Sequence, residues 1–573
     1  MKTSLVDASS VLALDIGSVH TRAILFDVVD GQYRFIASGL APSTHYGPYF
    51  DVNEGIYQAA MQLQEITGRD IFVDGRLVMP CQPDGSGIDQ LVMTVSAGPE
   101  LHLVTTGLLP DVSLESAQRL ATSTSGRLCE AIGLTDRRQT ETQLDAILRI
   151  RPDVIILAGG TDQGASRSVT KIVEMIGLIC RVLPAEKRPE VIYAGNRALA
   201  KRVKEYLGKL TTVHEAANVR PTIDEEDLTP AQDALAHAVA NLRIRQLVGL
   251  ESISALSVTP LTPTSHAFGR LIRFLSQVHD PAKGVLGVDL GGSTTTIAAA
   301  TAGQLALNVF NIGVGPGVRQ AIEVIKPDDI LQWMPVHSSV ETIRDYLWAK
   351  VLYPNLLPAT AETLAIERSL VRQVLRLTMQ RTLERWPDIN PAWEPLVISG
   401  LTLARTQTPG QALLMVLDGL QPVGVTTIIL DQNGISASLG AIAATNALLP
   451  VQVLESSAYL NLGTVISPVS EARYGTPILK VHIVQESGNE VRAEIKQGSL
   501  VSLPIRNGQT AQIYLTPLHG TVIDPAAVSR SGFKVTGGAC GVLIDARGRP
   551  LVLPPETSRR REMLKKWSLA LGG

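Results

Sequence analysis

Gly287-Val288-Asp289-Leu290-Gly291-Gly292-Ser293-Thr294-Thr295-Thr296 is the stretch on which the reading of this 573-residue chain turns. Val285, Leu286 and Val288 make an apolar strand, Asp289 stands near its end, and Gly291 and Gly292 make the turn. Ser293 and three threonines follow. Glycines let backbone come close to a polyphosphate, and successive N–H groups form an anion-binding nest. A lone carboxylate suits Mg²⁺, which keeps most of its waters and takes one or two carboxylates. No Gly-Lys-Ser/Thr follows, so this is not a Walker A loop. The design recurs at the start of the chain. Val11-Leu12-Ala13-Leu14 is an apolar strand, Asp15-Ile16-Gly17-Ser18-Val19-His20-Thr21-Arg22 its turn, and Ala23-Ile24-Leu25-Phe26 the returning strand. One Asp-x-Gly turn says little, because such turns join strands everywhere. Two of them, roughly half a chain apart and each heading its own lobe, point to an internal duplication.

Composition narrows the classes. Apolar residues make up 45% and charged residues 18% of a chain too long for one core. A net charge of -3 and 4% aromatics argue against nucleic acid and against an anionic membrane surface. Cys81, Cys129, Cys180 and Cys540 form no Cys-x-x-Cys pair and read as thiols in a reducing cytoplasm. Met1 to Ser10 lacks the apolar core of a signal peptide, and no apolar run approaches the ~20 residues of a membrane span.

Around the first hairpin, Tyr33 to Gly39 reads as a third strand and Asp51 to Gly68 as a helix. Ser113 is placed to cap a helix running to about Thr124. From Gln139 to Leu207 helices alternate with strands that end in Gly159-Gly160 and Gly195-Asn196, the pattern of an α/β sheet with turns at its strand ends. Thr229 to Gln246 is an Ala-rich helix. Thr262-Pro263-Thr264 opens another, ending before Pro281, that leads into the second hairpin. Gly313 to Gly317 reads as a helix start, and 327–391 as a helical insertion whose tryptophans, Trp333, Trp348, Trp386 and Trp393, belong to its core. Ile398-Ser399-Gly400 is a glycine turn at a strand end. After Leu454, short alternating segments with turns at Gly488, Gly508 and Gly548 predict a β-sandwich or barrel, closed by a helix carrying Arg559-Arg560-Arg561 and Lys565-Lys566 as a solvated face.

The two hairpins resemble the phosphate loops of the actin, Hsp70 and sugar-kinase superfamily. Ser399-Gly400 resembles its adenosine turn, and the helices at Pro263 and at Leu439-Gly440-Ala441-Ile442 its linking helices. The resemblance covers about Leu12 to Leu449. More narrowly, Asp15-x-Gly17-Ser18, Ala194-Gly195-Asn196, Thr262-Pro263-Thr264 and Asp289-Leu290-Gly291-Gly292-Ser293-Thr294-Thr295 are similar to the MutL family encoded beside glutamate mutase, not the mismatch-repair protein of that name. The resemblance implies an α/β, actin-like ATPase with two duplicated ribonuclease-H-like lobes, a helical insertion and a C-terminal β-rich domain. The boundaries would fall at 1–262, 263–453 and 454–573. It implies ATP and Mg²⁺, with Asp15 and Asp289 holding the metal through water and acting in hydrolysis. Gly17, Ser18, Arg22, Gly291, Gly292, Ser293, Thr294, Ser399 and Gly400 would take the nucleotide, although the hydroxyls could equally satisfy their own turns. It also implies a protein partner, a B12-dependent mutase, for an ATP-driven chaperone or reactivator. Two other classes stay open at this stage: a small-molecule kinase, or a non-hydrolysing actin-like or FtsA-like scaffold. The chain departs from the pattern at Thr296, where the family tends to have Asp, and at Arg22, where actin and Hsp70 relatives carry Lys. Arg presents a fork to phosphate where Lys presents a point charge.

Overall fold

The computed structural model describes residues 9–280, 282–389, 392–523, 528 and 531–572. Most of the Met1 to Ser10 stretch, Pro281 and the last two residues of the 327–391 insertion lie outside them. The chain divides into two compact units, one of Met1–Arg270, Leu307–Asn311 and Ala437–Pro450, the other of Leu271–Ala306, Ile312–Ser436 and Val451–Gly573.

The first unit opens with β1 (Val11–Ile16), β2 (His20–Val29) and β3 (Gln32–Pro42), an antiparallel meander. Every residue of β1 is buried, as suits a strand covered on both faces. α1 (Val52–Thr67) follows, capped by the Asp51 carboxylate, which accepts from the Asn53 amide, and stopped by Gly68 in the left-handed conformation. Its buried stripe, Val52, Ile56, Ala59, Ala60 and Leu63, joins the core under this sheet. β4 (Gln90–Val95) pairs parallel with β1 on the other side, and the short strand Thr262–Pro263 pairs parallel with β4. By chain rank the strands lie in the order 3-2-1-4-5.

Between β4 and Thr262–Pro263 the chain builds a second, all-parallel sheet. It consists of β5 (His102–Thr106), β6 (Arg127–Ile132), β7 (Val154–Leu157), β8 (Glu190–Tyr193) and β9 (Val213–Glu215), ordered β9-β8-β7-β5-β6. This is the doubly wound α/β arrangement that the alternation predicts. Its strand-end glycines serve packing: a Cβ on Gly195 would sit 2.7 Å from the Gly159 carbonyl oxygen, and one on Gly159 would meet Leu108. Asn196 caps the Ala198 amide, and Asn218 Nδ2 donates to the Gly160 carbonyl. Ser113 is not a helix cap. Its Oγ accepts instead from the amides of Leu108 and Leu109, and the helix behind it spans only Glu115–Ala121.

α2 (Thr264–Val278) begins in the first unit and ends in the second, the division falling after Arg270. The second unit then repeats the opening of the first. β10 (Gly284–Leu290) and β11 (Thr295–Thr301) form the hairpin, β12 (Gln304–Phe310) is the third strand, and β13 (Trp393–Ser399) and β14 (Gly424–Leu430) run parallel to β10. The order is again 3-2-1-4-5. Helices Val340–Leu352, α3 (Ala361–Arg385) and α4 (Pro409–Leu420) lie between β12 and β14 in sequence. Trp333 is buried, but Trp348 is 49% exposed and Trp393 opens β13 and so does not belong to the insertion. Ile343 and Leu347 take the buried stripe of their helix, and Trp348, one position on, is turned away from it.

The β-rich tail builds two sheets over one core, and one of these continues the sheet of the second unit. β15 (Leu460–Ser467) pairs with β14 and extends the second sheet, which then adds β21 (Val542–Asp545) and β18 (Leu500–Leu503). The remaining strands form a separate antiparallel sheet. They are β16 (Pro477–Gln485), β17 (Glu490–Lys496), β19 (Thr510–Pro517) and β20 (Phe533–Thr536), ordered β17-β16-β19-β20. Ile466, Val542 and Ile544 of the extended sheet share one core with Leu479, Val481 and Ile513. The tail is tied to the rest of the second unit by the pairing of β15 with β14. The terminal helix α5 (Thr557–Ala570) buries Leu564 and Trp567. Below it lies a buried ion network. Arg547 pairs with Asp418 of α4 and Asp545 of β21, Arg372 of α3 pairs with Asp418, and Arg549 pairs with Asp545. The Arg547 guanidinium stacks 4.7 Å from the Trp567 ring centroid.

Candidate nucleotide-binding turns

In the first unit, the hairpin register sets Asp15 opposite Arg22, and the parallel pairing sets it beside Thr94. Its Oδ1 accepts from Thr94 Oγ1 at 2.8 Å and from Thr264 Oγ1 at 3.1 Å, and its Oδ2 lies 3.8 Å from the Arg22 guanidinium. Asp15 is 9% exposed, so one side of the carboxylate is fixed by hydroxyls. The turn is tight because the Gly17 amide donates to the His20 carbonyl at 2.9 Å, and a Cβ on Gly17 would stand 2.5 Å from that oxygen. Among the described residues the amides of Ser18 and Val19 donate to no protein acceptor. Burial, and then the Arg22 charge, lower the His20 pKa, so its ring is neutral at pH 7.

The second unit builds the same turn. Asp289 is opposite Thr296 in the hairpin and beside Ser399 in the parallel pairing. The Gly291 amide donates to the Thr294 carbonyl at 2.9 Å, and a Cβ on Gly291 would meet that oxygen at 2.9 Å. The glycine run 313–317 does more than start a helix. The amides of Val314, Gly315 and Gly317 donate to the carbonyls of Gly291 and Gly292. A Cβ on Gly313 would lie 2.5 Å from the Gly292 oxygen, and one on Gly317 would overlap the Ser293 oxygen. The Thr295 hydroxyl donates to the Ile312 carbonyl at 2.7 Å. The carbonyls of Gly291 and Gly292 are thus taken up by the 313–317 segment. Among the described residues the amides of Gly292, Ser293 and Thr294 donate to no protein acceptor. Successive turn amides of this kind are able to take an anion.

Ser399 ends β13, and Gly400 has φ 126, a conformation only glycine adopts without strain. A side chain there would also overlap the Leu290 carbonyl oxygen. Ser399 Oγ donates to Asp431 Oδ2 at 3.5 Å. Asp431 is fully buried, and its two oxygens accept from the amides of Ile435 and Ser436, heading α6 (Ser436–Ile442). This helix contains the Leu439 to Ile442 segment, and the division between units falls after Ser436. Sequence reasoning missed Thr94, Thr264 and Asp431. Thr264 carried a signal, as the hydroxyl heading the linking helix, and Asp431 carried one as an acid at a strand end. Thr94 carried none, because only strand pairing brings it to Asp15.

In each unit taken by itself the donors suit a hydrated Mg²⁺ with phosphate: one carboxylate, a row of amides that among the described residues donate to no protein acceptor, and no side chain at the turn glycine to keep phosphate away. Among the described residues no group of three or more His, Cys, Asp or Glu could hold a metal by itself.

Two sheets of the same strand order, each headed by an acid-and-glycine hairpin, define an ATPase-fold protein of the actin-like class. The family model described as MutL protein matches residues 11–458, and the chain belongs to that family. It is 23% identical over 298 residues to the protein MutL of Clostridium tetanomorphum, a stretch covering 51% of this chain and 58% of that relative. The match thus spans little more than half of the relative's length. Among solved structures, the chain is similar to the ethanolamine utilization protein EutJ of Carboxydothermus hydrogenoformans, with 10% identity, a TM-score of 0.28, and coverage of 76% of this chain and 90% of that one. The corresponding figures for xylulose kinase of Bifidobacterium adolescentis are 13%, 0.29, 78% and 94%. For a glycerol dehydratase reactivase they are 11%, 0.30, 76% and 100%.

Proposed function

We propose that this chain binds Mg²⁺-ATP through its acid-and-glycine hairpins, hydrolyses it slowly, and uses the cycle to reactivate or remodel a partner enzyme, an adenosylcobalamin-dependent mutase such as glutamate mutase. The observation that carries the nucleotide part is the pairing, in each unit, of a carboxylate with amides that have no protein acceptor. Membership of the MutL family supports the partner part. In this reading Asp15 and Asp289 orient the metal's waters. The amides of Ser18 and Val19, and those of Gly292 to Thr294, take phosphate oxygens, and Arg22 adds a charge-assisted contact. Ser399 and Gly400 border the nucleoside. The metal supplies neutralisation of the developing phosphate charge. Position 296 holds a buried hydroxyl opposite Asp289, not a carboxylate, which supports slow turnover. The bound phosphate would then bias a two-state change that the partner reads.

The test incubates the purified chain with an adenosylcobalamin mutase inactivated by damaged cofactor, with Mg²⁺-ATP, with ADP, or with neither. ATP-dependent association and recovery of mutase activity would support the proposal. No association in any nucleotide state would sink the partner assignment. Appearance of a phosphorylated small molecule in the absence of any protein partner would replace it with a kinase.

A further inference from the structure

In the second unit the short helix Val318–Val324 and the helix Val340–Leu352 line an open cavity of about 470 Å³. Each turns one face to it. Arg319, Ile322 and Glu323 come from the first helix, and Arg344, Leu347 and Trp348 from the second, both at spacings i, i+3 and i+4. Ile322 and Leu347 give it an apolar lining, and Trp348 is left 49% exposed. Leu352, one turn further along the ridge of Arg344 and Trp348, is 71% exposed, and Tyr353 and Leu357 follow it, also exposed. Apolar surface that continues past a cavity in this way suits a protein segment better than a small molecule. The charges are unspent. Arg319, Glu323 and Arg344 are exposed and make no hydrogen bond or salt bridge among the described residues. Glu341, one turn before Arg344, feels its charge, but its carboxylate accepts first from its own amide and from Ser339. Two free guanidinium groups against one free carboxylate leave the cavity complementary to an acidic occupant.

We infer that this groove receives an amphipathic helix of the partner enzyme. An aromatic or leucine anchor would enter the cavity, the apolar ridge would lie on Trp348 and Leu352, and flanking carboxylates would meet Arg319 and Arg344. Trp and Arg are the residue types that dominate such interfaces. The assignment rests on the partner reading proposed above and adds where the partner docks and by what chemistry. It also gives the partner a route to the nucleotide. The helix Val318–Val324 starts directly after the 313–317 segment, whose amides hold the Gly291 and Gly292 carbonyls of the second hairpin. An occupant of the groove touches that helix, so phosphate and partner bias the same element, and each changes the affinity of the other by the same factor.

The test measures association of the full chain with an adenosylcobalamin mutase inactivated by damaged cofactor, in the nucleotide state that supports it. Trp348→Ala should weaken association at least about thirtyfold, the scale of an interface hot spot, and Arg344→Glu at least about tenfold. Both positions are exposed, so both variants should keep the wild-type melting curve and ATP affinity. Leu569→Ala, at a 73% exposed leucine of α5, should change nothing. Leu352→p-benzoylphenylalanine should cross-link to a mutase segment with apolar residues at helical spacing and carboxylates beside them. Undiminished association in either folded variant would overturn the groove and leave the partner reading standing. Wild type that binds the mutase in no nucleotide state would sink both. A cross-link to a second copy of this chain, or to a mutase segment without carboxylates, would overturn the assigned occupant.

Discussion

Gly313→Ala is the sharpest perturbation the structure offers. The new Cβ would lie 2.5 Å from the Gly292 carbonyl oxygen and 2.7 Å from that of Gly291. Real Cβ contacts do not fall below 3.0 Å, so the turn and the 313–317 segment must separate by at least about 0.5 Å. Both neighbours are backbone, and each is bound to the other through the amides of Val314, Gly315 and Gly317, so the strain cannot be relieved by a rotamer. Overpacking of this kind costs about 1–3 kcal/mol. Gly313 is not among the positive-φ glycines, so the loss is steric and not conformational. Urea unfolding should show the loss, and titration with a fluorescent ATP analogue should show affinity reduced at least about tenfold, the equivalent of ~1.4 kcal/mol. Gly488→Ala, at a left-handed glycine (φ 84) with no atom within 4 Å of the added carbon, strains the backbone outside the turn; it is the control for destabilisation alone and should leave ATP affinity unchanged. A destabilised Gly313→Ala with full ATP affinity would refute the claim that this packing shapes a phosphate site.

The remaining expectations concern charge. Arg547→Met removes the cation that joins Asp418 to Asp545 and should cost about 3–5 kcal/mol in urea unfolding, as breaking a buried pair does; a loss under about 1 kcal/mol would mean the network contributes little. Burial alone would raise the Asp545 carboxyl, but Arg547 and Arg549 outweigh it and hold the group well below the usual carboxylate range. The stability it contributes is therefore present above pH ~4 and is lost as pH falls towards the depressed value. Asp545→Asn should flatten the melting-temperature profile below pH ~4. His20 and His45 are both lowered, first by burial and then by Arg22 and Arg243 respectively. Their contribution is fully present above pH ~6.5 and lost as pH falls below it. His20→Gln should reduce the melting-temperature slope between about pH 6.5 and 5, and a further His45→Gln should reduce it again.

Much of the architecture was written locally. Asp15-x-Gly17 and Asp289-x-Gly291 each follow an apolar strand, and the sheets they head repeat one order. The helix 52–67 announced itself through Asp51, Gly68 and its apolar spacing. What escaped was set by distant partners. β9 is three residues long and exists only because β8 is there to pair with it. The tail strands alternate as those of a sandwich do, and β15 also pairs with β14, 30–43 residues earlier, in a register that no local signal marks. The glycines 313–317 read as a helix start because their spacing cannot show that carbonyls of another turn press against them. Asp431 followed the same rule, its partners being a strand-end serine and the head of α6.

The central claim is that the acid-and-glycine hairpins bind Mg²⁺-ATP. Calorimetric titration of Mg²⁺-ATP into the wild type, Asp15→Ala and Asp289→Ala tests it most directly, with circular dichroism to confirm each fold. Saturable binding in the wild type, weakened in each single variant, is the predicted result. Undiminished binding in either folded variant would contradict it.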